Sequence, residues 1–167
     1  VGGPARVLPF LAQQIEHQDT ADEDRLKSYY SYRDMALRSG EQVTYLSKLG
    51  DWLQSAPGGA PVRKAWLFDL RENGGTELVL PFLITEAEQA QARDPVSSGP
   101  FYALVDAAID ANRKDALLDF LARAMGAPET PPELESIYID SAVLHGGPSF
   151  AAALIKSRAN ADPQRWS

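Results

Sequence analysis

The sequence contains no cysteine, so disulfides, thiolate metal sites and cysteine nucleophiles are all excluded. Histidine is nearly as scarce, with His17 and His145 the only two. No apolar run approaches the length of a membrane-spanning helix. Positive charge is short as well: 16 Lys and Arg face 23 Asp and Glu, for a net charge of -7. Such a surface repels phosphate backbones and anionic lipid, which argues against nucleic-acid and membrane partners and favours a basic protein. Within residues 1–20 only Arg6 is basic, and Gln13, Gln14 and Glu16 interrupt the apolar stretch, so no signal peptide is expected there. A cytoplasmic location is slightly favoured, although a cysteine-free chain is also compatible with a secreted or periplasmic one.

Apolar residues and chain breakers are plentiful. Hydrophobic residues make up 44% of the chain, enough for one core, and 12 glycines and 12 prolines punctuate it. Apolar spacings of three and four predict short helices. One runs from 8 to 18, with Pro9 in its first turn and Leu8, Leu11 and Ile15 inside. A second ends at Gly40 and packs Leu26, Tyr29, Tyr30, Arg33, Ala36 and Leu37. A third spans 41–55, before the strongest break, Pro57-Gly58-Gly59-Ala60-Pro61. Beyond residue 100, helices are expected to open at Pro100, near 113 and at Glu133, and a last one is capped by Ser149.

Residues 62–84 are ambiguous. Ala65–Leu70 and Thr76–Ile84 could flank an Asn-Gly turn as a β-hairpin, or form two helices. The preferred reading is an extended stretch up to Leu80 with a helix opening at Pro81. The fold class expected is thus mainly α: an irregular bundle, or a short stack of antiparallel helical hairpins, with at most one short β-hairpin near 65–83. It is read as one helical domain over 1–167, with sub-units at 1–57 and 62–128 and a helical pair at 133–158.

A five-residue string occurs twice, Val7-Leu8-Pro9-Phe10-Leu11 and Val79-Leu80-Pro81-Phe82-Leu83. An aromatic pair follows each copy, Tyr29-Tyr30 and then Phe101-Tyr102. Asp51-Trp52-Leu53 running to Ala56-Pro57 then parallels Asp119-Phe120-Leu121 running to Ala127-Pro128. The halves read as two degenerate copies of one unit, with an offset that drifts from 72 to 68 residues. Repeats of helical units build binding surfaces more often than catalytic pockets.

Few residues offer chemistry. Glu16, His17 and Asp19, with Asp22, Glu23 and Asp24 nearby, could serve acid–base work or a divalent cation, but the spacing fits neither an EF-hand nor His-Glu-x-x-His. No metal and no cofactor is therefore expected. His145, Gly147 and Ser149 stand where a turn meets a helix N-terminus, a place that can hold an anion; no Gly-x-Ser-x-Gly elbow surrounds Ser149. Asn73-Gly74-Gly75 lacks the residues of a phosphate loop.

The reading that follows is a non-enzymatic protein that binds another protein, such as an adaptor, an accessory subunit or a toxin-neutralising immunity-type protein. Its expected contact residues are Asp22, Glu23, Asp24, Arg25, Tyr32 and Arg33, where an exposed tyrosine stands among charges. The alternatives are a small helical hydrolase or lyase using paired carboxylates, and a ligand or lipid carrier. The carrier would line a cavity with Tyr29, Tyr30, Trp52, Trp66 and Phe101.

Overall fold

The computed structural model describes residues 3–93 and 97–163, and the C-terminal Trp166 lies outside them. Among the described residues the chain is all-helical. Its nine helices are α1 (Pro4–Glu16), α2 (Asp22–Arg38), α3 (Gln42–Ser55), α4 (Ala60–Gly74), α5 (Thr76–Arg93), α6 (Gly99–Asp110), α7 (Lys114–Gly126), α8 (Pro132–Gly146) and α9 (Pro148–Ala161). The hairpin allowed near 65–83 is not formed. Residues there close α4 and open α5, and Gly75, at φ 90°, makes the junction.

Two compact units divide the chain, Val1–Val79 and Leu80–Ser167. The boundary falls inside α5. The Pro57–Pro61 break, where a division of the chain was expected, falls within the first unit: its first residues connect α3 to α4, and Ala60 and Pro61 open α4. In that unit α1 packs on α2, α2 on both α3 and α4, and α3 on α4. In the second, α6 packs on α7, α7 on α8 and α9, and α8 on α9.

Each unit holds an aromatic cluster drawn from three helices. In the first, Tyr29, Trp52 and Trp66 meet with ring centroids 5.9–6.4 Å apart. In the second, Phe101, Phe120 and Tyr138 meet at 4.7–5.9 Å. Edge-on, tilted and stacked arrangements of this kind add to the burial of the rings. A buried arginine pins each unit's loops. Arg25 donates to the carbonyls of Ile15 (2.9 Å) and His17 (2.8 Å), so it ties the end of α1 to α2. Arg158 pairs with Glu135 at 2.6 Å and donates to the carbonyls of Ala127 and Thr130, which holds the α7–α8 connection. Both arginines donate to carbonyls at or just beyond helix ends, where the helix itself supplies no further N–H.

The helix bounds recur. α5 begins 72 residues after α1, α9 begins 72 after α5, and α7 and α8 begin 72 after α3 and α4. Pro9 and Pro81 are each the sixth residue of their helix, further in than the first turn expected for them. The turn that ends α2 closes with Glu41 N–H on the Ala36 carbonyl around Gly40 (φ 79°). The turn that ends α6 closes with Arg113 N–H on the Ala108 carbonyl around Asn112 (φ 54°). Both are left-handed caps of the Schellman type.

Burial follows the same register. Tyr29, Tyr32 and Ala36 on α2 correspond to Phe101, Leu104 and Ala108 on α6, all buried. Tyr45, Leu49, Trp52 and Leu53 correspond to Leu117, Leu121, Ala124 and Met125. Val62, Trp66, Asp69 and Leu70 correspond to Leu134, Tyr138, Ser141 and Ala142. Between Tyr29 and Leu70 every buried residue has a buried counterpart 72 positions on. Even close contacts repeat: a Cβ added at Gly74 would press on Leu46 and Leu78, and one at Gly146 on Leu118 and Phe150.

Candidate functional site

The residues proposed from sequence fall into three places. At the α1–α2 turn, Glu16 accepts hydrogen bonds from Lys48 (3.1 Å) and Trp52 Nε1 (3.0 Å). Burial pushes its pKa upward, but these two donors outweigh burial and hold it below the ordinary carboxylate value. It is therefore a poor proton donor. The backbone N–H of Asp19 donates to His17 Nδ1 at 3.3 Å. Among the described residues no group of His, Asp and Glu converges as metal ligands would.

The proposed contact residues on α2 are largely engaged inside the first unit. Asp22 receives Arg25 Nη1 (3.0 Å) and the backbone N–H of Gly59 (3.1 Å), and so joins α2 to the start of α4. Glu23 and Asp24 remain on the surface and pair with Lys27. Arg25 is buried, as described above. Tyr32, expected to face solvent, is 3% exposed and packs edge-on against Trp52, with ring centroids 5.1 Å apart. Tyr30, expected inside, is 43% exposed. The buried stripe of α2 runs through positions 25, 29, 32 and 36; of the expected stripe Tyr29 and Ala36 lie in it, whereas Leu26, Tyr30, Arg33 and Leu37 lie beside it. In the string that occurs twice, Phe10 is exposed and Phe82 half-buried, whereas Leu8, Leu80 and Leu83 are buried.

At the α8–α9 junction, Gly147 rather than Ser149 stands at the N-cap of α9. Ser149 is the second residue of the helix, is exposed and makes no capping bond. Pro148 occupies the first position and has no N–H to offer an anion.

Sequence reading missed a polar cluster in the first unit. Asp69 on α4 is buried, and its Oδ2 accepts from the hydroxyls of Tyr29 and of Tyr45 (3.0 Å). Those hydroxyls lie 2.8 Å apart. Arg33 Nη1 completes the set at 3.4 Å from the same oxygen. Burial, with the Asp69 carboxylate close by, raises the pKa of Tyr29, and burial raises that of Tyr45. Arg33 also pairs with Asp34 at 3.0 Å, and its guanidinium lies over the Tyr30 ring, 5.0 Å from the centroid. This closes the face between α2 and α4.

Across 72 residues each member of that cluster changes. Tyr29 becomes Phe101, Tyr45 becomes Leu117, Arg33 becomes Val105 and Asp69 becomes Ser141. The change is concerted for a physical reason: a buried carboxylate without donors is not tolerated, so it goes when its partners go. The corresponding face of the second unit is open. A cavity of about 230 Å³ between α6 and α8 is lined by Phe101, Tyr102, Val105, Ile137, Ser141 and Leu144, with Asp140 and His145 beside them. The Ser141 hydroxyl is buried and has no hydrogen-bond partner. Tyr102, Val143 and Leu144 are exposed, Leu144 to 76%.

A larger cleft of about 720 Å³ in the second unit runs beside Glu88, Gln91, Phe120 and Arg123. Three of its polar groups are engaged. Arg123 pairs with Glu88 at 3.0 Å, and the Gln91 amide donates to the Tyr138 hydroxyl. The α6–α8 face, with an unpartnered hydroxyl and exposed apolar side chains, is therefore the better candidate site.

Comparison with protein-family models, with curated proteins and with solved structures gave no match to this chain.

Proposed function

We propose that this is a non-enzymatic binding protein, built from two degenerate copies of one helical unit, that engages another protein through the α6–α8 face of its second unit. Within a unit, helices joined by short turns pair as hairpins. One observation carries the reading. From Tyr29 to Leu70 the second unit keeps the buried register of the first, position by position, yet leaves open and apolar the face that the first closes with Arg33 and Asp69. A scaffold held constant while one face changes is what a binding surface on a repeat framework requires. Exposed Tyr102 and Leu144 supply the aromatic and aliphatic anchors of such a surface. The net charge of -7 favours a basic partner. An adaptor, an accessory subunit and a toxin-neutralising protein all belong to this class.

Affinity capture with the intact chain, followed by association kinetics on the captured protein, tests the proposal. Leu144→Ser should weaken the complex by about tenfold, the effect of losing an interface anchor, and should leave the melting temperature unchanged because Leu144 is mostly exposed. An equal affinity for wild type and variant would move the interface elsewhere, and turnover of a small substrate without any macromolecular partner would overturn the class.

A further inference from the structure

In the first unit an arginine is held by three groups: the face of Tyr30, the carboxylate of Asp34 and the buried carboxylate of Asp69. Seventy-two residues on, Tyr102 stands for Tyr30 and Asp106 for Asp34, while Val105 takes the place of the arginine itself. Two of the three groups of the cradle are retained, without the cation. Ser141, in the place of Asp69, contributes a buried hydroxyl that lacks any partner and can accept an N–H. Asp140, which replaces Phe68, adds a second carboxylate beside the cavity. The cavity, about 230 Å³, accommodates one long side chain rather than a folded element.

We propose that the α6–α8 groove takes the guanidinium side chain of an arginine from a basic partner protein, seated as Arg33 is seated in the first unit. The stem of that arginine lies along Val105, Ile137 and Leu144, and its planar head stacks on Tyr102. Its N–H groups donate to Asp106 or Asp140 and to Ser141 Oγ. Guanidinium is preferred over ammonium because a planar fork can stack and donate in several directions at once. Charge complementarity agrees: the face carries carboxylates, and the chain as a whole is acidic. The inference rests on the binding-protein reading and specifies its chemistry.

The probe is N-acetyl-arginine methylamide, with the citrulline compound as its neutral isostere, titrated into the intact methyl-labelled protein. Arginine should give saturable shifts at Val105, Ile137 and Leu144, and citrulline should bind about tenfold more weakly or worse, since it loses both the charge-assisted hydrogen bonds and the cation–π contact. Val105→Arg should fill the groove from within and abolish the shifts. Asp106→Asn, a change at an exposed position, should weaken arginine binding and leave the fold intact. Equal shifts with arginine and citrulline, or undiminished binding to both variants, would overturn the proposal. The same variants then go into the capture experiment. Arginine binding with no captured protein supports the cation site and sinks the protein-binding reading. A captured protein that binds Val105→Arg as tightly as wild type sinks the cation site and spares that reading.

Discussion

Asp69 brings a carboxylate into the core of the first unit, and its neighbours explain how it can be there. Two tyrosine hydroxyls donate to it and Arg33 balances its charge. Asp69→Ala should leave one of the two hydroxyls without an acceptor, since they can still bond each other, and Arg33 without its inner partner. The expected loss is about 3–5 kcal/mol, the usual result of removing one member of a buried charged network. Ser141, at the corresponding place in the second unit, predicts the opposite. Its hydroxyl bonds nothing, so Ser141→Ala removes a desolvated polar group and should be neutral or stabilising by up to about 1 kcal/mol. Urea denaturation of the two variants checks both. A costly Ser141→Ala would mean that the hydroxyl has a partner after all. The cluster was hidden in the sequence because Tyr29, Tyr45 and Asp69 are far apart in the chain and no local pattern joins them. The α2 stripe, right at Tyr29 and Ala36, was drawn too far towards Leu26 and Arg33, which turned Tyr32 outward and Tyr30 inward. Burial of Arg25 is the cause: a charged residue in the stripe breaks the apolar signal, and periodicity then settles on Leu26 instead.

At the scale of the element, backbone conformation decides several junctions. Gly75 (φ 90°, ψ 163°) and Gly147 (φ 85°, ψ 170°) occupy a region open essentially to glycine alone. Alanine at either position should cost about 1–3 kcal/mol, although nothing lies within 4 Å of the added Cβ, because the strain is in the backbone. A shift of the urea midpoint without a change in slope would confirm it, and an unchanged midpoint would show that the turn relaxes freely. Helix ends were legible at Gly40 and Asn112, where a left-handed residue makes the stop, and at Gly126–Pro128, where the chain turns extended at Ala127. The α4–α5 region was not, because Asn73-Gly74 serves equally as a hairpin turn and as a helix stop, and Pro81 reads as a helix start although it lies inside α5. The helix tolerates it at the sixth position, where one lost backbone bond is offset by burial of Val79, Leu80 and Leu83. The offset of the third helix was misread for a geometric reason. Pairing Trp52 with Phe120 gives 68 residues, whereas helix bounds and burial give 72. The difference is about one helical turn, which keeps side chains on the same face, so apolar periodicity cannot distinguish the two registers.

For the whole molecule, the two units share a sensitivity that the acidic composition does not suggest. Each buries tyrosine hydroxyls, Tyr29 and Tyr45 in the first and Tyr138 in the second. Burial raises all three pKa values, that of Tyr138 to about 12 even though the Gln91 amide pulls it back. A tyrosine whose folded pKa lies above its unfolded value of roughly 10 stabilises the fold in its neutral form. That contribution is complete below about pH 10. It is lost as pH climbs from there, because the unfolded chain ionises first and takes the equilibrium with it. For Tyr138 the loss is complete only past about pH 12. Stability should therefore be flat through neutral and mildly alkaline pH and fall steeply above about 10. Tyr138→Phe should soften that fall, since it removes one of the groups that titrates between the two states, and it leaves Gln91, at the edge of its cleft, free to bond water. Urea midpoints measured from pH 8 to 11.5 for wild type and variant read the effect directly. Parallel curves would show that Tyr138 ionises as readily in the folded chain as in the unfolded one, and that the aromatic centre of the second unit is open to water.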